Sequence, residues 1–369
     1  MANSACCAPL SPPWPHDFSF LRFPILSMIN VRPLHHIALG LALGIAACLS
    51  ISSQAAQDGQ TVLRVGIFED VAREAIEATD FLKGTPYRIE WARLNGAGPT
   101  VQALGGNAID ISWGLSDTAA PKASAEDRQN WTAANAPIKL IGLLAPVDPE
   151  HYSPSLVIAS KASGITKLSE LRGKSYAFNE GGNANAVGLL ALDKAGLTIK
   201  DVKLRLLTYD ATAPAVVSGA VDAAPATRSR VADALITGEV RELSTERGVG
   251  FPGFVSVTAR TGALNDPRLN AAIGDFMTRL ARYLNWAATH DNDTAAAYVK
   301  SQQLTKAQAL FAAKSGAYRL VPVNRDGAPY KAEVDATKKL ATIGFYPRPV
   351  DFSTVIDDRY THQIEAGNH

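Results

Sequence analysis

The stretch that decides the fold is FNEGGNANAVGLLALDKAGL, Phe178 to Leu197. It sets a glycine pair and two asparagines between an apolar strand end and an apolar helix. A strand ending at Phe178, then Gly181-Gly182-Asn183, then a helix, is a turn of the βα kind. Glycine lets the chain turn sharply and lets another group approach the main chain. Asn183 or Asn185 can accept from the free N–H groups of the first helical turn. Those N–H groups and the helix dipole favour an anion there. In open α/β sheets, ligands sit at the carboxyl ends of strands. The stretch therefore reads as half of an anion-binding cleft, although an ordinary capped helix after a tight turn would use the same residues. It is neither a phosphate loop, since no Gly-Lys-Ser/Thr follows, nor the Gly-x-Gly-x-x-Gly fingerprint.

Working outward, strands and helices alternate. TVLRVGIF, YRIEWARL, IKLIGLLAP, SLVIAS and GFVSVTAR read as strands, and EDVAREAIEATDFL as a helix. PRLNAAIGDFMTRLARYLNWAATH places Ile273, Phe276, Leu280 and Leu284 near helical spacing. TAAAYVKSQQ and KAEVDATKKLATIGF continue a mainly helical C-terminal part. The order loop, helix, Gly-rich turn, strand occurs twice, in NGAGPTVQALGGNAIDISWG and in YDATAPAVVSGAVDAAPA. Ile109-Asp110 then matches Val221-Asp222. This faint repeat predicts two lobes built on similar βα units, each an α/β layer with a largely parallel sheet.

Three further turns add candidate ligand contacts. NGAGPT, Asn95 to Thr100, enters a helix through glycine and proline. WGLSDTAAP offers Ser116, Asp117 and Thr118 after a strand. ATRSR offers Arg228 and Arg230, and a guanidinium can grip an oxyanion bidentately. The alternatives are a plain Pro-initiated helix for the first and a solvated surface arginine for the last. Trp91, Trp131 and Trp286 read as packing residues, and Trp113 as either core or cleft wall. Glu180 opposes an anion beside the glycine pair. The histidines are scattered, with no metal-ligand spacing.

Among 369 residues, 36 are Lys or Arg and 35 Asp or Glu, a net charge of +1 with no basic block. That excludes the electrostatic footprint of a nucleic-acid binder. From Met28, a basic start, the apolar run Ile37 to Ile51 and the small residues Ser53 and Ala55 have the three parts of a secretory signal. Residues 28–55 are therefore expected to be a signal peptide, and 1–27 an upstream extension or mis-assigned start. A rival is the lipobox-like IAAC, which would make Cys48 a lipid anchor. Cys6, Cys7 and Cys48 all precede Ala55, so the exported chain would hold no thiol and no disulfide. Arg22, Arg32 and Asp17 leave with that leader, and 34 basic residues then face 34 acidic ones. Any charge selectivity must be local.

LRVGI, GAGPTVQALGGNAIDIS with SDTAA, ITKLSELRGKSYAFNEGGNANAVGLLALDKAGL and AVVSGAVDAA together resemble the substrate-binding proteins of ABC importers for aliphatic sulfonates, taurine and nitrate. The resemblance runs from about Val62 to Phe352, and its most specific piece is LRGKSYAF with the glycine turn and ALDKAGL. It implies a two-lobed type II periplasmic binding fold: residues 61–153 as the first part of lobe one, 154–252 as lobe two, 253–369 completing lobe one. Hinge strands would lie near Pro154–Val157 and Gly253–Val257, with a ligand held between the lobes. Carried over by position, Ser116, Asp117 and Thr118 would face it from lobe one, with Gly98 and Thr100 nearby. Gly182, Asn183 and Ala184 would face it from lobe two. Family members that bind sulfonates carry tryptophans and an Asp-Pro in the strand-end loop of lobe two. Here that loop reads AAPATRSR, which makes Arg228 the candidate anion contact and opens the choice of anion.

The resemblance implies a monomeric receptor that delivers an organic anion, a sulfonate or related sulfur compound, to a membrane permease without chemistry, cofactor or nucleic acid. The same fold could instead serve nitrate, bicarbonate or a thiamine-pyrimidine precursor. An exported enzyme on this scaffold is a competing reading; a desulfinase would need a cysteine nucleophile. A sensory module is another, with no signalling domain visible.

Overall fold

The computed structural model describes residues 59–179 and 181–369. The expected signal segment, the upstream extension, Cys48 and Glu180 lie outside the described residues. Four strands come first: β1 (Val62–Ile67), β2 (Arg88–Arg93), β3 (Ile111–Ser116) and β4 (Ile138–Pro146). The chain then builds a second sheet from β5 (Ser155–Ser160), β6 (Ser175–Phe178), β7 (Lys203–Leu206), β8 (Ala223–Thr227) and β9 (Val240–Thr245). It returns to the first sheet with β10 (Val255–Arg260) and β11 (Tyr318–Val321).

The sheet orders are β11-β4-β10-β3-β1-β2 and β7-β6-β8-β5-β9. Each contains the same motif. Two parallel neighbours flank the first strand, β1 with β2 and β3, and β6 with β7 and β8. Beside the third strand lies an antiparallel one, β10 or β5, donated just after the chain crosses between sheets. The sheets are therefore mixed, not largely parallel as the strand–helix alternation predicts. A strand that enters by crossing over from the other sheet is free of the right-handed βαβ constraint that keeps consecutive strands parallel.

The repeat is kept at the level of single hydrogen bonds. Asp110 precedes β3 and its Oδ2 accepts from the Arg64 N–H of β1 at 2.9 Å; Asp222 precedes β8 and its Oδ2 accepts from the Ser175 N–H of β6 at 2.8 Å. The carbonyls of the same two residues accept from Arg260 N–H, ending β10, and Ser160 N–H, ending β5. One aspartate, through its carboxylate and its backbone carbonyl, thus ties three strands in each lobe.

The helix Pro267–Ala287 opens at Asp266, whose carboxylate accepts from Arg268 and Leu269 N–H, with proline at its first position. It buries Ile273, Phe276 and Leu280 completely and Leu284 nearly so. Full burial of each such side chain stabilises the fold by about 1.5–3 kcal/mol. The helix Ala328–Thr342 touches both lobes. Tyr330 and Val334 pack on the core with Leu140 and Leu143, while Ala336 and Leu340 join that of Tyr176 and Phe178.

Candidate functional site

The βα turn at the glycine pair forms as its residues dictate. β6 ends at Phe178, Gly181 takes φ +87°, and the helix Asn183–Lys194 begins after Gly182. Its cap is not either asparagine. Gly182 holds the cap position without a side chain, and Ser116, from the end of β3 in the other lobe, accepts from Asn183 N–H at 3.1 Å. The Asn183 amide instead donates to the Phe254 carbonyl and accepts from Thr118 Oγ1 at 2.9 Å. Helix start, strand end and returning crossover are thereby tied together.

A cavity of about 220 Å³ opens between the two sheets at this point. Ser116, Asn179, Gly182, Asn183 and Ala184 line one side of it. Phe68, Trp113, Tyr209, Tyr283, Tyr298 and Tyr318 give most of the remaining wall an aromatic character. A Cβ on Gly182 would come within 3.0 Å of Ser116 Oγ, so glycine keeps the two lobes close and the helix start open to the cavity.

Of the residues expected from sequence, Ser116, Gly182, Asn183 and Ala184 line the cavity. Gly98 is exposed on the helix Ala97–Gly105, and Thr100 is buried with its hydroxyl on the Gly96 carbonyl; that loop reaches the cavity through Ala97. Asp117 and Thr118 stand behind the wall. Asp117 is wholly buried beside Glu333, and neither of its carboxyl oxygens has a hydrogen-bond partner among the described residues. Burial raises both acids, and the neighbouring negative charge raises Glu333 further. Glu246, between the crossovers, is pushed up to about 8 by burial; its carboxylate accepts from Ser155 N–H at 3.1 Å.

Arg228 is neither at the cavity nor on the solvated surface. It is 6% exposed, donates to the Ser153 carbonyl at 2.7 Å and pairs with Glu242 at 2.7 Å. The short helical turn Arg228–Val231 aims its first guanidinium back at the crossover and its second, Arg230, at Tyr209 and a small pocket that shares Asn179, Ala184, Tyr209 and Thr227 with the cavity wall. Arg230 stacks 4.5 Å from the Tyr209 ring centroid and pairs with Asp210 at 2.7 Å and Glu69 at 3.8 Å. Burial works against its charge, but Glu69, Tyr209 and Asp210 outweigh that and hold the guanidinium above its ordinary range. Its Nη1 is buried without a partner among the described residues. Glu69, on the cavity wall, also accepts from Gln302 at 3.1 Å and Tyr209 at 3.5 Å.

Among the described residues no lysine or arginine lines the cavity itself. An anion there would meet neutral donors: the free helix N–H groups of Ala184 and Asn185, and the Asn179 amide. Asn179 was within reach of sequence reasoning, since it directly follows a strand end beside the glycine pair. Glu69 and Tyr209 carry no such signal, because only the meeting of the lobes brings them together. Trp113 belongs to the wall, packed between Trp91 at a tilt and Tyr283 edge-on. Among the described residues no group of His, Cys, Asp and Glu could hold a metal ion.

Two lobes of one topology, joined by two crossovers and enclosing a cavity, define a periplasmic binding protein fold of type II. Residues 127–258 match the NMT1/THI5-like family. The chain is 25% identical over 225 residues to a putative aliphatic sulfonates-binding protein of Escherichia coli K12, covering 60% of this chain and 66% of the relative. The alkanesulfonate-binding protein SsuA of Xanthomonas axonopodis pv. citri, bound to MOPS, superposes with a TM-score of 0.68 at 18% identity, over 80% of this chain and 98% of that one. The desulfurization enzyme DszB shares the fold too, with a TM-score of 0.56 at 14% identity over 83% of this chain and 99% of that one.

Proposed function

We propose that the protein is an exported solute receptor that closes its two lobes on an organosulfonate and passes it to an ABC importer. One observation carries the reading: the start of the helix Asn183–Lys194 opens into the interlobe cavity, and Ser116 of the other lobe completes that start. A sulfonate has three oxygens and one charge, which suits a cluster of neutral N–H donors. The relationship to named sulfonate-binding proteins supports the same ligand class. The residues linking β4 to β5 and β9 to β10 would act as the hinge. Among the described residues the cavity wall holds no cysteine, histidine or lysine.

The test is calorimetry and thermal melting of residues 56–369 with methanesulfonate, taurine, benzenesulfonate, nitrate and bicarbonate. A ligand at 100 times its Kd stabilises the native state by about 2.7 kcal/mol, so one sulfonate should raise Tm by several degrees. Nitrate and bicarbonate should not. Gly182→Ala, which crowds Ser116 Oγ, should weaken that sulfonate at least about tenfold while costing only about 1 kcal/mol of stability. Equal shifts with every anion, or none with any sulfonate, would refute the reading.

A further inference from the structure

The cavity holds more hydrogen-bonding capacity than a sulfonate at the helix start would use. Tyr283 is 3% exposed and Tyr298 is 8% exposed, yet both line the cavity, as does Tyr318. Among the described residues, none of these three phenol oxygens has a hydrogen-bond partner. Thr294 lines the same wall, and its Oγ1 is buried without a partner. Buried polar groups in folded proteins are nearly always paired, so unpaired hydroxyls on one wall mark a place where something else completes them.

These groups form one cluster. Tyr209, Tyr283, Tyr298, Tyr318 and Thr294 line one cavity, and the Glu69 carboxylate on the same wall acts on both Tyr298 and Tyr318. Gly316 leaves space for the Tyr298 hydroxyl, which lies 2.8 Å from where a Cβ would stand. All four come from the C-terminal part of lobe one: the helix Pro267–Ala287, the helix Asp291–Gln302 and the start of β11. The helix start at Asn183 belongs to lobe two. Burial raises the three phenols, so they stay protonated and donate at neutral pH. Glu69 makes this wall a poor place for a second anion.

We infer that the ligand is a ring-bodied sulfonate with an uncharged oxygen function at its far end, accepted by the hydroxyls of Tyr283, Thr294, Tyr298 and Tyr318. The inference rests on the receptor reading above and deepens it. The body follows from size and lining. A cavity of about 150 Å³ with apolar walls accepts benzene, so about 220 Å³ holds a substituted ring. Taurine would leave the aromatic wall bare, and its ammonium would find Glu69 already engaged by Arg230, Gln302 and Tyr209.

The experiment compares methanesulfonate, benzenesulfonate, 4-hydroxybenzenesulfonate, 4-acetylbenzenesulfonate and 4-sulfobenzoate by calorimetry. Benzenesulfonate should bind at least about 100-fold tighter than methanesulfonate, from the added buried carbon. The hydroxy or acetyl compound should gain about a further tenfold, one net hydrogen bond, and the charged 4-sulfobenzoate should not. Tyr298→Phe and Tyr318→Phe should erode that last gain, read as the affinity ratio to benzenesulfonate on the same variant. Equal affinity for benzenesulfonate and both para-oxygen compounds on the parent protein overturns the inference, with no variant needed. So does a gain that survives both substitutions, or methanesulfonate binding as tightly as the ring compounds. Binding of no sulfonate at all overturns the receptor reading itself, and the two failures are thereby told apart.

Discussion

Stability should fall as pH rises from 5 to 8, and Glu246 should carry a definite share of the fall. Glu246 is 1% exposed, and burial lifts its acid from 4.5 to about 8. Below pH 4.5 the carboxyl is protonated in both folded and unfolded chains and contributes nothing. Between 4.5 and about 8 the folded chain keeps a proton that the unfolded chain has lost. Unfolding then releases protons, so each unit of rising pH costs about 1.4 kcal/mol per retained proton. From pH 5 to 7 Glu246 alone accounts for about 3 kcal/mol. Glu333 acts in the same direction, because its acid is also raised. The lowered carboxylates, such as Asp110 and Asp222, have the opposite sign. Their stabilisation is already complete above the unfolded value of 3.8 and is lost only in stronger acid, so the two windows separate. The assay is urea unfolding followed by tryptophan fluorescence at half-unit steps from pH 5 to 8. Glu246→Gln keeps an acceptor for Ser155 N–H and removes the titration. Its slope should be shallower than the parent's by about 1.4 kcal/mol per pH unit. A parent whose stability is flat or rises over this range, or a variant with the parent's slope, would refute the argument.

The paired strand-end carboxylates should differ in cost despite their common role. Asp110 is wholly buried and takes both Arg64 and Arg260, at 2.7 and 2.6 Å, so Asp110→Asn should cost about 3 kcal/mol by urea unfolding. Asp222 receives only Ser175, and Asp222→Asn should cost about 1 kcal/mol. Arg228→Ala should lower stability by about 1–3 kcal/mol, since it strips the Ser153 carbonyl and Glu242 of their partner. It should leave ligand affinity unchanged in calorimetry, and a large affinity loss would return Arg228 to the site.

Alternation and turn chemistry made most of the fold legible. β4 and β5 fall on IKLIGLLAP and SLVIAS because continuous burial leaves a continuous apolar run. Three strands gave no such signal. β7, KLRL, is exposed throughout, β9 carries charge, and β11 is four residues long. All three are edge strands, where charge and brevity guard against pairing with other chains and so erase the strand pattern. At the site, the glycine turn and Ser116 were legible because each lies where a strand ends. Arg228 misled for a related reason. A strand-end arginine is a fair anion candidate, but a short helical turn decides where each of two neighbouring guanidinia goes, here to Ser153 and Glu242 and to Asp210 and Glu69, and no residue pattern in ATRSR fixes that direction.

The placement of charge around the cavity follows from its lying between two copies of one motif. Each lobe uses one strand-end aspartate to tie its strands, as Asp110 and Asp222 do, and leaves its strand-to-helix turns to meet at the interface. The two halves contribute unlike groups there. Lobe two brings a helix start with its uncompensated N–H groups, and lobe one brings a hydroxyl, aromatic rings and Glu69. The cations and acids near the cavity are mostly already matched. Arg230 lies between Glu69 and Asp210, Arg93 also reaches Asp210, and the remaining buried acids are kept from ionising by burial. A full opposite charge in the wall would bind anions of many shapes and hold the lobes shut. Oriented neutral donors act only within hydrogen-bond reach, so they reward a ligand of fitting shape and let it go when the lobes part. A receptor that must release its cargo to a partner gains from that arrangement. Its selectivity would then reside in the aromatic and phenolic wall, the part of the cavity that the proposed ring-bodied ligand would meet.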